Sequence, residues 1–136
     1  MTQVDQTSSN TAPRITWSKY RNTNGLDAPP LSASNMVSVA GGLASCGKTP
    51  VVASFACFLL CNAYDQIRMS VAFPGLNVKL VGSHAGISIG EDGPSQMGIE
   101  DVALACTFPG VSVIVPADAP STRKATEAIL EHHGPT

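Results

Sequence analysis

Between residues 84 and 96 this chain gathers polar groups that could do chemistry, among them His84, the carboxylates Glu91 and Asp92, the Ser95 hydroxyl and the Gln96 amide. An imidazole titrates near neutrality, so it can accept or return a proton or hydrogen-bond a hydroxyl-bearing ligand. A carboxylate accepts hydrogen bonds from such hydroxyls. Val78, Leu80 and Val81 form a short apolar run that ends in Gly82-Ser83-His84, the pattern of a buried strand with a polar residue at its carboxyl end. A loop punctuated by Gly90, Gly93 and Pro94 follows. At Met97 it gives way to an apolar pattern, which predicts a helix opening from the loop. Ligands of open α/β sheets bind outside the carboxyl ends of strands, in loops of this kind. The same pattern also fits a solvated turn beside a structural histidine, and residue pattern alone leaves both readings open.

The elements that must position these groups can be read along the chain. Residues 1–30 are rich in Ser, Thr, Asn and Pro without an apolar period, and read as an irregular or flexible lead. From residue 31 to 136 the chain reads as one domain. Ser34 or Asn35 can cap a helix whose Val37, Val39, Ala40, Leu43 and Ala44 point inward, with Gly41-Gly42 allowing a close backbone approach and Gly47 ending it. Strands are expected at 50–55, 77–82 and 111–115, and helices at 58–72, 96–107 and from Pro120 onward. On the 96–107 helix, Ile99, Val102, Ala103 and Cys106 would form one apolar stripe. His132 and His133 would close the last helix, suited to the negative end of its dipole. Strands alternating with helices predict an α/β fold of three layers, a parallel sheet with helices on both faces.

Composition narrows the possible roles. Hydrophobic residues make up 43% of the 136 residues and charged ones 13%, which suits a chain with one sizeable core and extra buried surface. A net charge of -2 offers no basic footprint for nucleic acid or an anionic membrane. No apolar run approaches the ~20 residues that span a bilayer, and residues 1–10 lack the cationic and apolar parts of a secretory signal. The expectation is a soluble cytoplasmic protein. Cys46, Cys57, Cys61 and Cys106 stand in apolar surroundings and read as reduced, buried thiols. Cys57 and Cys61 are four apart, but no neighbouring Cys or His completes a zinc set, and no metal site is expected.

The runs N-M-V-S-V-A-G-G-L-A, S-F-A-C-F, A-Y-D-Q-I-R-M, G-S-H-A-G-I-S-I-G-E-D-G-P-S-Q-M and I-E-D-V-A occur in that order. In sequence and spacing they closely resemble the pyrimidine-binding domain of the transketolase family. The resemblance implies the thiamine diphosphate-binding fold, transfer of a two-carbon ketol unit between sugar phosphates, and a cofactor held between two domains. This domain would hold the aminopyrimidine ring, while a partner domain, not this chain, would hold the diphosphate and its Mg²⁺. It implies Phe55 and Phe58 as the stacking wall, Gln96 near the cofactor's reactive side, His84 as a catalytic and substrate-binding group, and Asp92 as a ligand for a substrate hydroxyl. Glu91 is expected to be structural.

One position departs from the pattern. Where the family carries a glutamate two residues before Asn-Met, this chain has Ala33, which can neither protonate nor polarise a ring nitrogen. Leu60, Cys61 and Asn62 replace a basic stretch, and neither end carries the elements the family places there, so the resemblance is to a truncated domain. Three readings follow. The chain is half of a split transketolase, inactive alone and completed by a diphosphate-binding subunit or by oligomerising; or a catalytically dead remnant or paralogue that at most binds a transketolase partner; or an unrelated small binding domain.

Overall fold

A computed structural model describes residues 32–136; the expected lead at 1–30 lies outside the described residues. Helix α1, Ala33–Ser45, is capped by Ser32, whose hydroxyl accepts from the Asn35 amide, so the cap falls two residues before Ser34 and three before Asn35, the two candidates the sequence offers. Val37, Ala40 and Ala44 are buried on its inner face, but Val39 is exposed. Gly41 is where the helix meets the rest of the core: a Cβ there would lie 2.6 Å from the Ser70 carbonyl oxygen. Gly47, with φ +78°, follows the C-cap residue Cys46 and turns the chain out of the helix.

Strand β1, Val51–Phe55, leads into a helical segment that is not one regular helix. Residues Cys57–Asn62 and Arg68–Ala72 are wound as π-helix around a single α-helical turn, α2, Tyr64–Ile67. Leu59, Ala63, Ile67 and Val71 still face the core, so the apolar spacing survives the change of winding. Strand β2, Lys79–Ser83, pairs in parallel with β1, Val51 opposite Lys79 and Phe55 opposite Ser83.

The chain is thus α/β, with a parallel sheet flanked by helices, but two expected elements differ. Residues 111–115 do not join the ladder as a third strand. The place beside β2 is taken by the tail: the Thr136 amide donates to the Val78 carbonyl, the Leu80 amide to the Thr136 carbonyl and the Ser112 amide to the Pro135 carbonyl. The helix expected at 96–107 is divided into a 3-10 turn, Pro94–Gln96, and α3, Asp101–Cys106. Between them Gly98 bridges to Ala85 and Gly86, a main-chain role that excludes a helix there. Starting at Asp101 also rotates the buried face of α3, so that Asp101 and Ala105 are inside while Ile99, Val102 and Cys106 are exposed.

Helix α4, Ala119–Glu131, starts from a capping box made by Asp118 and Ser121. The Ser121 hydroxyl and amide draw the Asp118 carboxyl below the usual carboxylate range. The helix ends at Glu131, so His132 and His133 lie just beyond its last turn. Its carboxyl end is tied to the sheet by Lys79, which is 0% exposed and whose Nζ donates to the carbonyls of His132 (2.9 Å) and Gly134 (2.6 Å).

Candidate functional site

Because β1 and β2 are parallel and in register, their carboxyl ends arrive side by side, with Phe55 against Ser83. Gly82 makes this approach possible: a Cβ there would meet Cβ and Cα of Ala56 at 3.1 and 3.2 Å. At Ala56 the chain turns into the first π-helical turns, which brings Phe58 back over Phe55. The two rings stack with centroids 5.7 Å apart and planes 7° from parallel. His84, immediately after β2, lays its imidazole 4.2 Å from the Phe55 ring, tilted by 38°. The backbone of His84 has φ +55°, a left-handed conformation that a residue with a Cβ adopts at a cost of about 1 kcal/mol or more, and that clusters at functional sites.

Phe58 is 40% exposed and forms one wall of a hollow of about 600 Å³, shared with Cys61, Asn62, Ile87, Met97 and Glu100. Gln96 reaches this region through its main chain, its carbonyl accepting from the Cys57 thiol at 3.2 Å, while its side-chain oxygen accepts from the Ser95 hydroxyl. Burial, reinforced by a hydrogen bond to Glu100 and that group's negative charge, pushes the Cys61 thiol up to about 11, so Cys61 lines the hollow as a neutral thiol.

Phe55, Phe58 and His84 therefore form one group, and the Gln96 main chain is held to Cys57, the residue before Phe58. Asp92 does not join them: it lies with Glu91 in an exposed turn, and no hydrogen bond or ion pair among the described residues links either carboxylate to His84. Ala33, 6% exposed, packs in the hydrophobic core at the start of α1. That helix start lies near the hollow, since the Ser34 hydroxyl donates to the carbonyl of Asn62, one of the lining residues. The four thiols are free, but only Cys57 is buried; Cys46 and Cys106 occupy exposed helix ends, contrary to the expectation that all four are inside. Among the described residues no group of three or more His, Cys, Asp and Glu side chains is arranged to hold a metal ion, and no helix is long and apolar enough to cross a membrane.

Sequence reasoning passed over Ser54 and Ser83, which hold the histidine. The Ser83 hydroxyl is 2.9 Å from His84 Nδ1 and 3.3 Å from the Ser54 carbonyl. The only signal was the position of Ser83 between Gly82 and His84 at the strand end.

The family model described as "Transketolase, pyrimidine binding domain" matches residues 18–136. The chain belongs to that family. It is 43% identical over 105 residues to the 6-deoxy-6-sulfo-D-fructose transketolase subunit of Clostridium sp. (strain MSTE9), covering 77% of this chain and 33% of that protein. It is 47% identical over 105 residues to the transketolase of Homo sapiens, covering 76% of this chain and 16% of that enzyme. Among solved structures it is similar to "Split gene transketolase, inactive beta4 tetramer", with a TM-score of 0.66 and 41% identity, covering 75% of this chain and 32% of that one. The chain thus spans about a third of the clostridial subunit and of the split gene transketolase chain, and about a sixth of the human transketolase. The transketolase match takes in every element described, including both strands whose carboxyl ends carry the aromatic-histidine group.

Proposed function

We propose that this chain supplies the pyrimidine-side half of a thiamine diphosphate site, completed by a separate diphosphate-binding polypeptide, and that it transfers no ketol units alone. The observation that supports this reading is the stacked Phe55–Phe58 pair with His84 against it at the strand ends, with Phe58 also lining the adjoining hollow. Thiamine diphosphate, when bound, supplies the carbanion chemistry of ketol transfer.

The residues present fit the flat side of that cofactor. Phe55 and Phe58 offer an apolar face to an aminopyrimidine ring, worth about 0.5–1.5 kcal/mol beyond area burial. Gln96 stands at the edge toward the reactive side, His84 hydrogen-bonds substrate and moves a proton at its imidazole, and Asp92 accepts from a substrate hydroxyl once its loop is covered. The residues do not fit the ring nitrogen: Ala33 has no proton to give, and its methyl group is packed in the core. The partner polypeptide brings the diphosphate ligands and Mg²⁺, the substrates are sugar phosphates, and the setting is the cytoplasm. Self-association is an alternative to a partner half, since the similar split gene transketolase forms an inactive beta4 tetramer. Ala33 also favours a second reading, a paralogue that keeps the docking surface and binds a transketolase partner without contributing catalysis.

The test is calorimetric titration of thiamine diphosphate with Mg²⁺ into the chain mixed with a diphosphate-binding transketolase subunit, alongside a xylulose 5-phosphate turnover assay. Binding that weakens about tenfold with Phe58→Ala, the equivalent of about 1.4 kcal/mol, is expected. Turnover by the mixture supports the half-enzyme, and binding without turnover supports the paralogue. Turnover by the chain alone, or no cofactor binding by the mixture, refutes the proposal.

A further inference from the structure

The polar contacts around His84 bear on which of its nitrogens carries the proton. The Ser83 hydroxyl has one hydrogen and two neighbours, the Ser54 carbonyl at 3.3 Å and His84 Nδ1 at 2.9 Å. A carbonyl oxygen only accepts, whereas a neutral imidazole nitrogen donates or accepts according to its tautomer. Both contacts are satisfied together in one arrangement: the hydroxyl donates to the Ser54 carbonyl and accepts from Nδ1–H. If Nδ1 were bare, the hydroxyl would turn toward it and the Ser54 carbonyl would lose this donor.

Two further features hold the ring in that pose. The backbone of His84 is held at φ +55°, and the Phe55 ring, 4.2 Å away, covers one imidazole face. Strain at a residue with a Cβ persists where the surroundings over-determine it, as they do here.

We propose that Ser83 is a positioning residue that, through its bond to the Ser54 carbonyl, holds His84 as the Nδ1–H tautomer and leaves Nε2 as the hydrogen-bond acceptor. The proposal deepens the reading of His84 as the substrate-facing group. A bare Nε2 accepts from a hydroxyl of a polyol substrate and takes up its proton. An Nε2–H would instead donate to a carbonyl, so the serine selects which oxygen function the histidine recognises.

The experiment is ¹⁵N NMR of the imidazole nitrogens in the whole chain at about pH 9, well above the ordinary imidazole range. His84→Gln identifies the His84 signals among those of His132 and His133. The expected result is Nδ1–H as the major form in the unmodified chain and in Ser83→Thr, which keeps the hydroxyl. In Ser83→Ala that preference is lost, and the ring relaxes toward the Nε2–H form favoured by free imidazole. A major Nε2–H form in the unmodified chain, or the same tautomer in Ser83→Ala, overturns the proposal. The tautomer is read without cofactor or partner, so a failure of thiamine diphosphate binding leaves this result separately interpretable.

Discussion

Replacing Lys79 by methionine separates the two consequences of burying an amine inside a sheet. Met keeps an unbranched stem of similar length but removes the two donors that reach the carbonyls of His132 and Gly134. Hydrogen bonds from a charged group contribute about 1.5–3 kcal/mol each, so their loss costs about 3–6 kcal/mol gross. Against this stands the penalty of keeping an ammonium out of water, which the variant no longer carries; it amounts to several kcal/mol before pairing. The two carbonyls left without this donor cost about 1–3 kcal/mol each where they stay dry. The carbonyl penalty and the relieved desolvation are of similar size and opposite sign, which leaves a net loss of about 3–6 kcal/mol, concentrated where α4 and the tail join β2.

The dependence on pH has a definite sign. Burial lowers the Lys79 pKa below its ordinary 10.5. The desolvation penalty is therefore present below the folded-state value and disappears as pH rises from there to 10.5. The neutral amine retains two N–H bonds, enough for both carbonyls. Wild type should accordingly gain on Lys79→Met as pH rises through this window. Urea unfolding at about pH 7.5 and pH 10, with m unchanged, measures both quantities. A variant within about 0.5 kcal/mol of wild type at neutral pH, or a gap that narrows with alkali, would refute the reasoning.

Adjacent glycines in α1 should respond in opposite directions to the same substitution. Gly42→Ala meets nothing within 4 Å and should stabilise by about 0.5–1 kcal/mol through helix propensity, whereas Gly41→Ala drives a methyl onto the Ser70 carbonyl and should destabilise by about 1–3 kcal/mol; thermal unfolding of the two variants decides it. Ala33→Glu places a carboxylate where the alanine methyl is buried, which raises its pKa; the variant should match wild type at about pH 4 and fall behind as pH rises, and guanidinium unfolding across that range should show the divergence. If that variant also gains thiamine diphosphate affinity in the partner mixture, the glutamate position faces the ring as the family pattern implies.

Much of this architecture was legible because local rules and burial agreed. The V-V-A-S-F and V-K-L-V-G-S runs became β1 and β2, and helices α1 and α4 fell within a few residues of their predicted spans. The errors arose where tertiary geometry overrode local pattern. Val111–Val115 has the composition of a strand, but its path to β2 is taken by Pro135 and Thr136, which no local rule reveals. Residues 96–107 have a helical apolar stripe, yet Gly98 is needed as backbone beside Ala85 and Gly86, so the helix begins later and turns a different face inward. Phe55, Phe58 and His84 meet at the ends of β1 and β2, a convergence set by the parallel register, whereas neither the bond to Ser83 nor the left-handed backbone at His84 is displayed by the sequence.

The placement of Ala33 links fold to activity. A helix N-terminus favours an acidic side chain through the dipole and its unpaired amides, but at Ala33 burial of the position outweighs that gain. Here Ser32 already caps that end, and the alanine methyl contributes to the core. Stability at this position therefore needs no carboxylate, while proton transfer to a ring nitrogen does. The aromatic wall and the histidine, by contrast, depend on the pairing of β1 with β2, which also holds the core together. On the proposed reading, an aromatic wall without the acid is the pattern expected of a site whose scaffold is constrained by folding and whose removable part is chemical.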